Sequence, residues 1–109
     1  MKISAESALA SLGKSTQPFV ELFNRGTLSV EVYKPIKIDH QKPHTKDEVY
    51  IIIEGHGNFY CGGETTPFTK GDFLFVPAGV EHRFINFSDD FSTWVIFYGP
   101  QGGEGANSI

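Results

Sequence analysis

Sulfur is nearly absent from this 109-residue chain, which has one cysteine, Cys61, and one methionine. A single thiol excludes an internal disulfide and a thiolate zinc cage, since each needs several sulfurs. Basic residues are also scarce. Nine Lys plus Arg against 13 Asp plus Glu leave a formal charge of −4. No basic run occurs, so the electrostatic footprint of a nucleic-acid binder is missing. Apolar runs stay far below the roughly 18 residues of a membrane span. Glu6 interrupts the N-terminal stretch where a signal peptide is continuously apolar. The expectation is a cytoplasmic protein in a reducing compartment, with neither nucleic acid nor membrane as partner.

What the chain does have is aromatic bulk and punctuation. Ten Phe, four Tyr and one Trp within a hydrophobic fraction of 39% give enough apolar surface to offset chain entropy. The length suits one domain over residues 1–109. Twelve Gly and six Pro are dispersed and cut the chain into segments of a few residues, which favours an all-β fold. Only residues 5–12 have helical character, ending at Gly13.

At least eight short strands are predicted. An apolar stretch over residues 19–23 leads to the turn signal Asn24-Arg25-Gly26. Residues 27–33 then alternate, with Leu28, Val30 and Val32 on one face. The run from Glu48 to Glu54 is dense in β-branched and aromatic side chains and reads as buried on both faces. Gly62-Gly63 predicts a tight hairpin. Further strands follow after Gly71-Asp72, Pro77-Ala78-Gly79 and Ser88-Asp89-Asp90. Both faces of the last strand are apolar, with Trp94, Ile96 and Tyr98 on one and Val95 and Phe97 on the other, which predicts a covering partner and hence a homodimer. Residues 99–109 lack apolar periodicity and read as a mobile tail or an arm ordered only against a partner subunit.

Histidine carries the chemistry. His44 precedes Glu48 by four positions as a strong strand begins, and His82 opens a later strand. If those strands face each other, the three make a two-histidine, one-carboxylate set suited to a divalent metal. The bland alternative is a metal-free pocket in which Lys42 pairs with Glu48. Tyr50 shares the Glu48 face, and Phe84 and Asn86 share that of His82, so all three are expected to line the pocket. His56 reads as an exposed turn residue and Cys61 as a packed structural one.

The run from Gly71 to Asn86 has Gly71, Pro77, Gly79, His82 and Asn86 at spacings of five, one, two and three intervening residues. This resembles the second motif of the cupin superfamily at every fixed position. In the first cupin motif two histidines lie two apart, followed by a glutamate, six residues and a glycine. His44, Glu48 and Gly55 are similar to its second histidine, glutamate and glycine, but Lys42 stands where the first histidine belongs. A protonated lysine cannot ligate. His40 and Gln41 are the additional candidates for that missing position.

The resemblance spans roughly residues 28–98 and implies a jelly-roll β-barrel with an interior site. It implies a divalent metal, Fe, Mn, Ni or Zn, on His44, Glu48 and His82. It also implies a small organic ligand bearing a carboxylate or carbonyl, with dioxygenase, isomerase and lyase chemistries open. Lys42 and Tyr50 are the candidate catalytic groups, Lys42 by holding a substrate carboxylate or acting as a base. The competing reading is a non-catalytic binding or sensing cupin with a degenerate metal site.

Overall fold

A computed structural model of the chain describes residues 1–105. One helix, α1 (Ala5–Leu12), precedes eight strands: β1 (Phe19–Arg25), β2 (Leu28–Tyr33), β3 (Asp47–Glu54), β4 (His56–Cys61), β5 (Glu64–Thr69), β6 (Phe73–Val76), β7 (His82–Ile85) and β8 (Ser92–Tyr98). They form two antiparallel sheets, ordered β1-β2-β8-β3-β6 and β5-β4-β7. The two sheets close face to face as a jelly-roll β-barrel, the all-β architecture expected. β1 lies ahead of residues 28–98 and extends the larger sheet at its edge.

Strand alternation decides what enters the barrel. Along β3, Glu48, Tyr50 and Ile52 are buried inward while Ile51 is exposed outward. Phe59, Phe68 and Phe84 of the smaller sheet meet Tyr33, Tyr50, Ile52, Val76 and Val95 of the larger one, with Phe91 among them. Tyr50 and Phe84 pack edge to face with ring centroids 4.8 Å apart, a favoured aromatic geometry.

A second apolar cluster covers part of the outer face. Ala8 and Leu12 of α1 pack with Val32 and Ile53, and Leu9 and Trp94 join them. Trp94 of the last strand is thus partly buried against the chain's own residues on this face. Ser4 caps that helix through its hydroxyl, which accepts from the Ser7 N–H at 3.1 Å. Capping of this kind typically contributes about 1 kcal/mol.

Two glycine sites set the chain's path. Gly62 and Gly63, with φ of 58° and 93°, make the tight β4–β5 hairpin, as mirror-image turns require. Gly55, φ 93°, is the single residue linking β3 in one sheet to β4 in the other. A Cβ there would lie 2.6 Å from Phe91 Cα.

The described part of the tail is anchored. Gly102 N–H donates to the Thr45 carbonyl at 2.7 Å, and Glu104 N–H donates to Asp47 Oδ2 at 2.9 Å. The rest of the expected tail, 106–109, lies outside the described residues.

Gly55→Ala and Gly63→Ala impose the same backbone strain, but a Cβ at Gly63 meets nothing within 4 Å. Gly63→Ala should cost about 1–2 kcal/mol, and Gly55→Ala should cost clearly more, as read by urea unfolding of both variants.

Candidate functional site

Glu48 enters the barrel from the middle of the larger sheet, where it pairs with Val76 on one side and Phe97 on the other. Its side chain is 0% exposed. His82, the first residue of β7, reaches it from the opposite sheet, with Nε2 3.1 Å from Glu48 Oε1. His44 comes from the loop before β3, with Nε2 3.9 Å from the same oxygen and its ring packed on Phe97. One ligand atom from each of the three residues lies within 4.8 Å of the others.

The atoms at the centre of this cluster are orphaned. His82 Nδ1 lies 2.9 Å from the Val80 carbonyl. A carbonyl only accepts, so in the neutral ring Nδ1 carries the proton and Nε2 presents a bare lone pair. That lone pair faces a carboxylate oxygen, and among the described residues neither Glu48 oxygen nor His82 Nε2 has an aligned hydrogen-bond partner. An unsatisfied buried carboxylate costs several kcal/mol unless a cation or proton lies against it. Hard and borderline divalent metals accept this donor set, and the Val80 contact supplies the orienting bond typical of metal-ligating histidines. The three residues fit a divalent cation.

Local charge bears on the histidines as well. Burial pulls the His82 imidazole down, but Glu48, the Val80 carbonyl and Asp39 outweigh it and its pKa is raised. His44 has its pKa lowered, chiefly by burial.

The two motif segments are strapped together. Gly79 N–H donates to the His44 carbonyl at 2.7 Å, and Ala78 N–H donates to Asp47 Oδ1 at 2.9 Å. The Pro77-Ala78-Gly79 turn therefore fixes the backbone of His44 as well as redirecting the chain into His82.

Around the cluster the structure departs from several expectations. Residues 39–46 are irregular, not an extended strand, so strand alternation does not decide which of their side chains face the site. Lys42 is exposed and makes no ion pair with Glu48. The metal-free Lys42–Glu48 pair is therefore not formed. His40 is exposed; it lines the same open cavity as Gln41 and His44 but lies outside the three-residue cluster. Asn86 is also exposed, because its φ of 52° ends β7 and turns its side chain away from the pocket. His56 is exposed as expected but opens β4 and does not sit in a turn.

Gln41 does reach the site, with Oε1 3.4 Å from His44 Nε2. Tyr50 donates its O–H to that same oxygen at 2.9 Å. Burial pushes the Tyr50 phenol well above its ordinary range, and the Glu48 carboxylate adds to this. The phenol is therefore held protonated as a donor.

Sequence reasoning missed Asp39, Asp47 and Glu31. Buried Asp39 accepts from Tyr33 O–H at 2.6 Å, Gln41 N–H at 3.1 Å, Gln41 Nε2 at 2.8 Å and Phe84 N–H at 2.8 Å. The available signal was weak: an Asp two residues before an N–H that it can bind, as in an Asx turn. Glu31, Tyr33, Val95, Phe97, Gln41 and His44 line one open cavity of about 1190 Å³.

A model of the cupin domain matches residues 29–98. The chain belongs to the cupin family. This cupin is 43% identical over 63 residues to an uncharacterized protein of Streptomyces coelicolor, covering 58% of this chain and 60% of that one. It is 31% identical over 77 residues to the acireductone dioxygenase of Bacillus subtilis, covering 66% of this chain and 42% of the relative. The chain thus spans less than two thirds of the length of either relative. A crystal structure of a Neisseria meningitidis protein superposes with a TM-score of 0.71 at 23% identity, over 91% of this cupin and 100% of that chain. That likeness supports the barrel alone.

Glu31 provides a test of the cavity's charge. Burial, then Glu21 and Glu48, raise its pKa from 4.5. A carboxyl group with a raised folded-state pKa costs stability when ionised, and the cost disappears as pH falls below the unfolded value. Glu31→Gln should therefore raise the melting temperature at pH 7, with the gain vanishing below about pH 4.5. Melting curves of both proteins across pH measure this.

Proposed function

We propose that this cupin holds a divalent metal on His44, Glu48 and His82 and binds a small organic molecule bearing a carboxylate or carbonyl in the adjoining cavity. The observation carrying this reading is the fully buried Glu48 carboxylate facing His82 Nε2, where among the described residues neither carboxylate oxygen nor that nitrogen has a hydrogen-bond partner. A divalent cation supplies Lewis acidity toward a carbonyl, enolate or carboxylate oxygen, and, if it is iron, toward dioxygen chemistry.

The protein's own residues define the ligand's surroundings. Phe97, Val95, Ile36 and Ile38 give the cavity apolar walls beside His44, so a ligand with one oxygen-bearing end and an apolar body suits it. The relationship to an acireductone dioxygenase supports dioxygenase chemistry on such a molecule, beside isomerase and lyase chemistry.

One observation favours a second reading, non-catalytic binding of the same class of molecule. Lys42 points to solvent, and Tyr50 spends its proton on Gln41. Neither is placed as a free acid or base, so any turnover would rest on the metal and on groups of the ligand itself.

Elemental analysis of untagged protein should give near-stoichiometric metal, with loss in His82→Ala and His44→Ala. An absence of metal in the wild-type protein after reconstitution would overturn the reading. With metal present, product formed from an enolate or carboxylate substrate and lost in Glu48→Ala favours the enzyme. Saturable binding without product favours the sensor.

We place the homodimer expected from the sequence on another apolar surface. Phe73, Phe75 and Ile51 are 64%, 44% and 37% exposed on the outer face of β6 and β3, an apolar patch beyond the reach of α1. Light scattering should give twice the 12.1 kDa chain mass, reverting to one mass in Phe73→Glu/Phe75→Glu. A monomeric wild type would exclude the dimer.

A further inference from the structure

Gln41 sits one residue before the position where the first motif carries its first histidine. Its amide is held at both ends. Nε2 donates to Asp39 Oδ2 at 2.8 Å, and Oε1 accepts from the Tyr50 O–H at 2.9 Å. An amide oxygen has two lone pairs, so the Tyr50 bond leaves one free. That oxygen stands 3.4 Å from His44 Nε2, which is long for an N–H···O hydrogen bond. Adjacent ligands on one metal, each roughly 2.0–2.2 Å from it, lie about 3.0–3.5 Å apart. The 3.4 Å here and the 3.1 Å between His82 Nε2 and Glu48 Oε1 both have that spacing. We propose that the Gln41 side-chain oxygen is a fourth protein ligand, replacing the imidazole that Lys42 displaces from the motif position.

The chemistry of the replacement is specific. An amide oxygen is neutral and harder than an imidazole nitrogen, which shifts preference toward manganese, iron and other oxygen-favouring divalent ions. Tyr50 is a positioning residue in this arrangement, because its held proton fixes the direction of the Gln41 oxygen. Asp39 positions the other end of the amide while also binding Tyr33 and the N–H of Phe84. The ligand set then carries one negative charge, from Glu48, and leaves a divalent site net positive toward the cavity. That charge suits an anionic oxygen ligand.

The inference rests on the metal reading above, and its test separates the two. Co²⁺ is titrated into metal-free wild type, Gln41→Ala, Gln41→Leu, His40→Ala and His82→Ala, with affinity and visible absorption as readouts. Gln41→Leu keeps the side-chain volume and guards against misfolding of the alanine variant. Loss of the ligand should weaken binding about tenfold or more and change the intensity of the cobalt bands in both Gln41 variants. His40→Ala should match wild type. Wild-type affinity and spectrum in the folded Gln41 variants would overturn the role of Gln41 while leaving the metal on its three residues. Failure of the wild type itself to bind Co²⁺ or Zn²⁺ would overturn the metal reading and this inference with it.

Discussion

A carboxylate without partners in the middle of a β-barrel is the constraint on which this cupin's architecture turns. Glu48 is fully buried among Val76, Phe97 and Tyr50, in surroundings where an uncompensated charge is far more costly than in water. Its neighbours do not relieve it. His82 offers a lone pair, because its own N–H is turned toward Val80, and His44 stands off at 3.9 Å. Such a cluster is poorly satisfied as a set of hydrogen bonds and well arranged as a set of ligands. Leaving a buried charged group without a partner is costly, so a cation bound at this cluster would stabilise the folded barrel.

The structure positions these groups with backbone bonds more than with side-chain packing. The loop carrying His44 is irregular, and its ring is partly exposed, so strand geometry alone does not hold it. What holds it is the turn from Pro77 to Gly79, bound to the His44 carbonyl, and the Asp47 carboxylate bound to the same turn. Asp39 performs the equivalent task on the other side, where it binds the N–H of Phe84 and orients Gln41. Both aspartates accept from backbone N–H groups, interactions that are short and directional.

Much of this was legible in the residues. The eight strands and the short helix follow from glycine and proline punctuation and from alternation, because strands buried on one face repeat with period two. The convergence of His44, Glu48 and His82 was legible only through motif spacing, since nothing local in the chain says that β3 and β7 lie in facing sheets. The misreadings have a common physical origin. Asn86 follows from extending strand alternation past the end of β7, where its φ is positive, and Lys42 and His40 from the spacing of a motif whose segment here, residues 39–46, is irregular. Beyond the weak Asx-turn signal at Asp39, the two aspartates carry no sequence signature, because their long-range roles are defined by N–H groups 45 and 31 residues away.

The displacement of Lys42 has a consequence for how a binding site tolerates the loss of a ligand. Strand alternation would have aimed residue 42 inward, and a lysine there would have placed a cation where a metal belongs. With the loop irregular, Lys42 turns to solvent and Gln41 turns inward instead, so the register shifts by one residue without disturbing His44 or Glu48. The buried Asp39 makes that shift favourable, because its carboxylate satisfies both the Gln41 N–H and the Gln41 side-chain amide. A polar side chain entering the barrel at this point must bring its own partners. Gln41 meets that condition, with an N–H₂ group for Asp39 and an oxygen for Tyr50, whereas a lysine ammonium has no acceptor for the Tyr50 proton. The buried tyrosine therefore selects which residue of the loop faces inward.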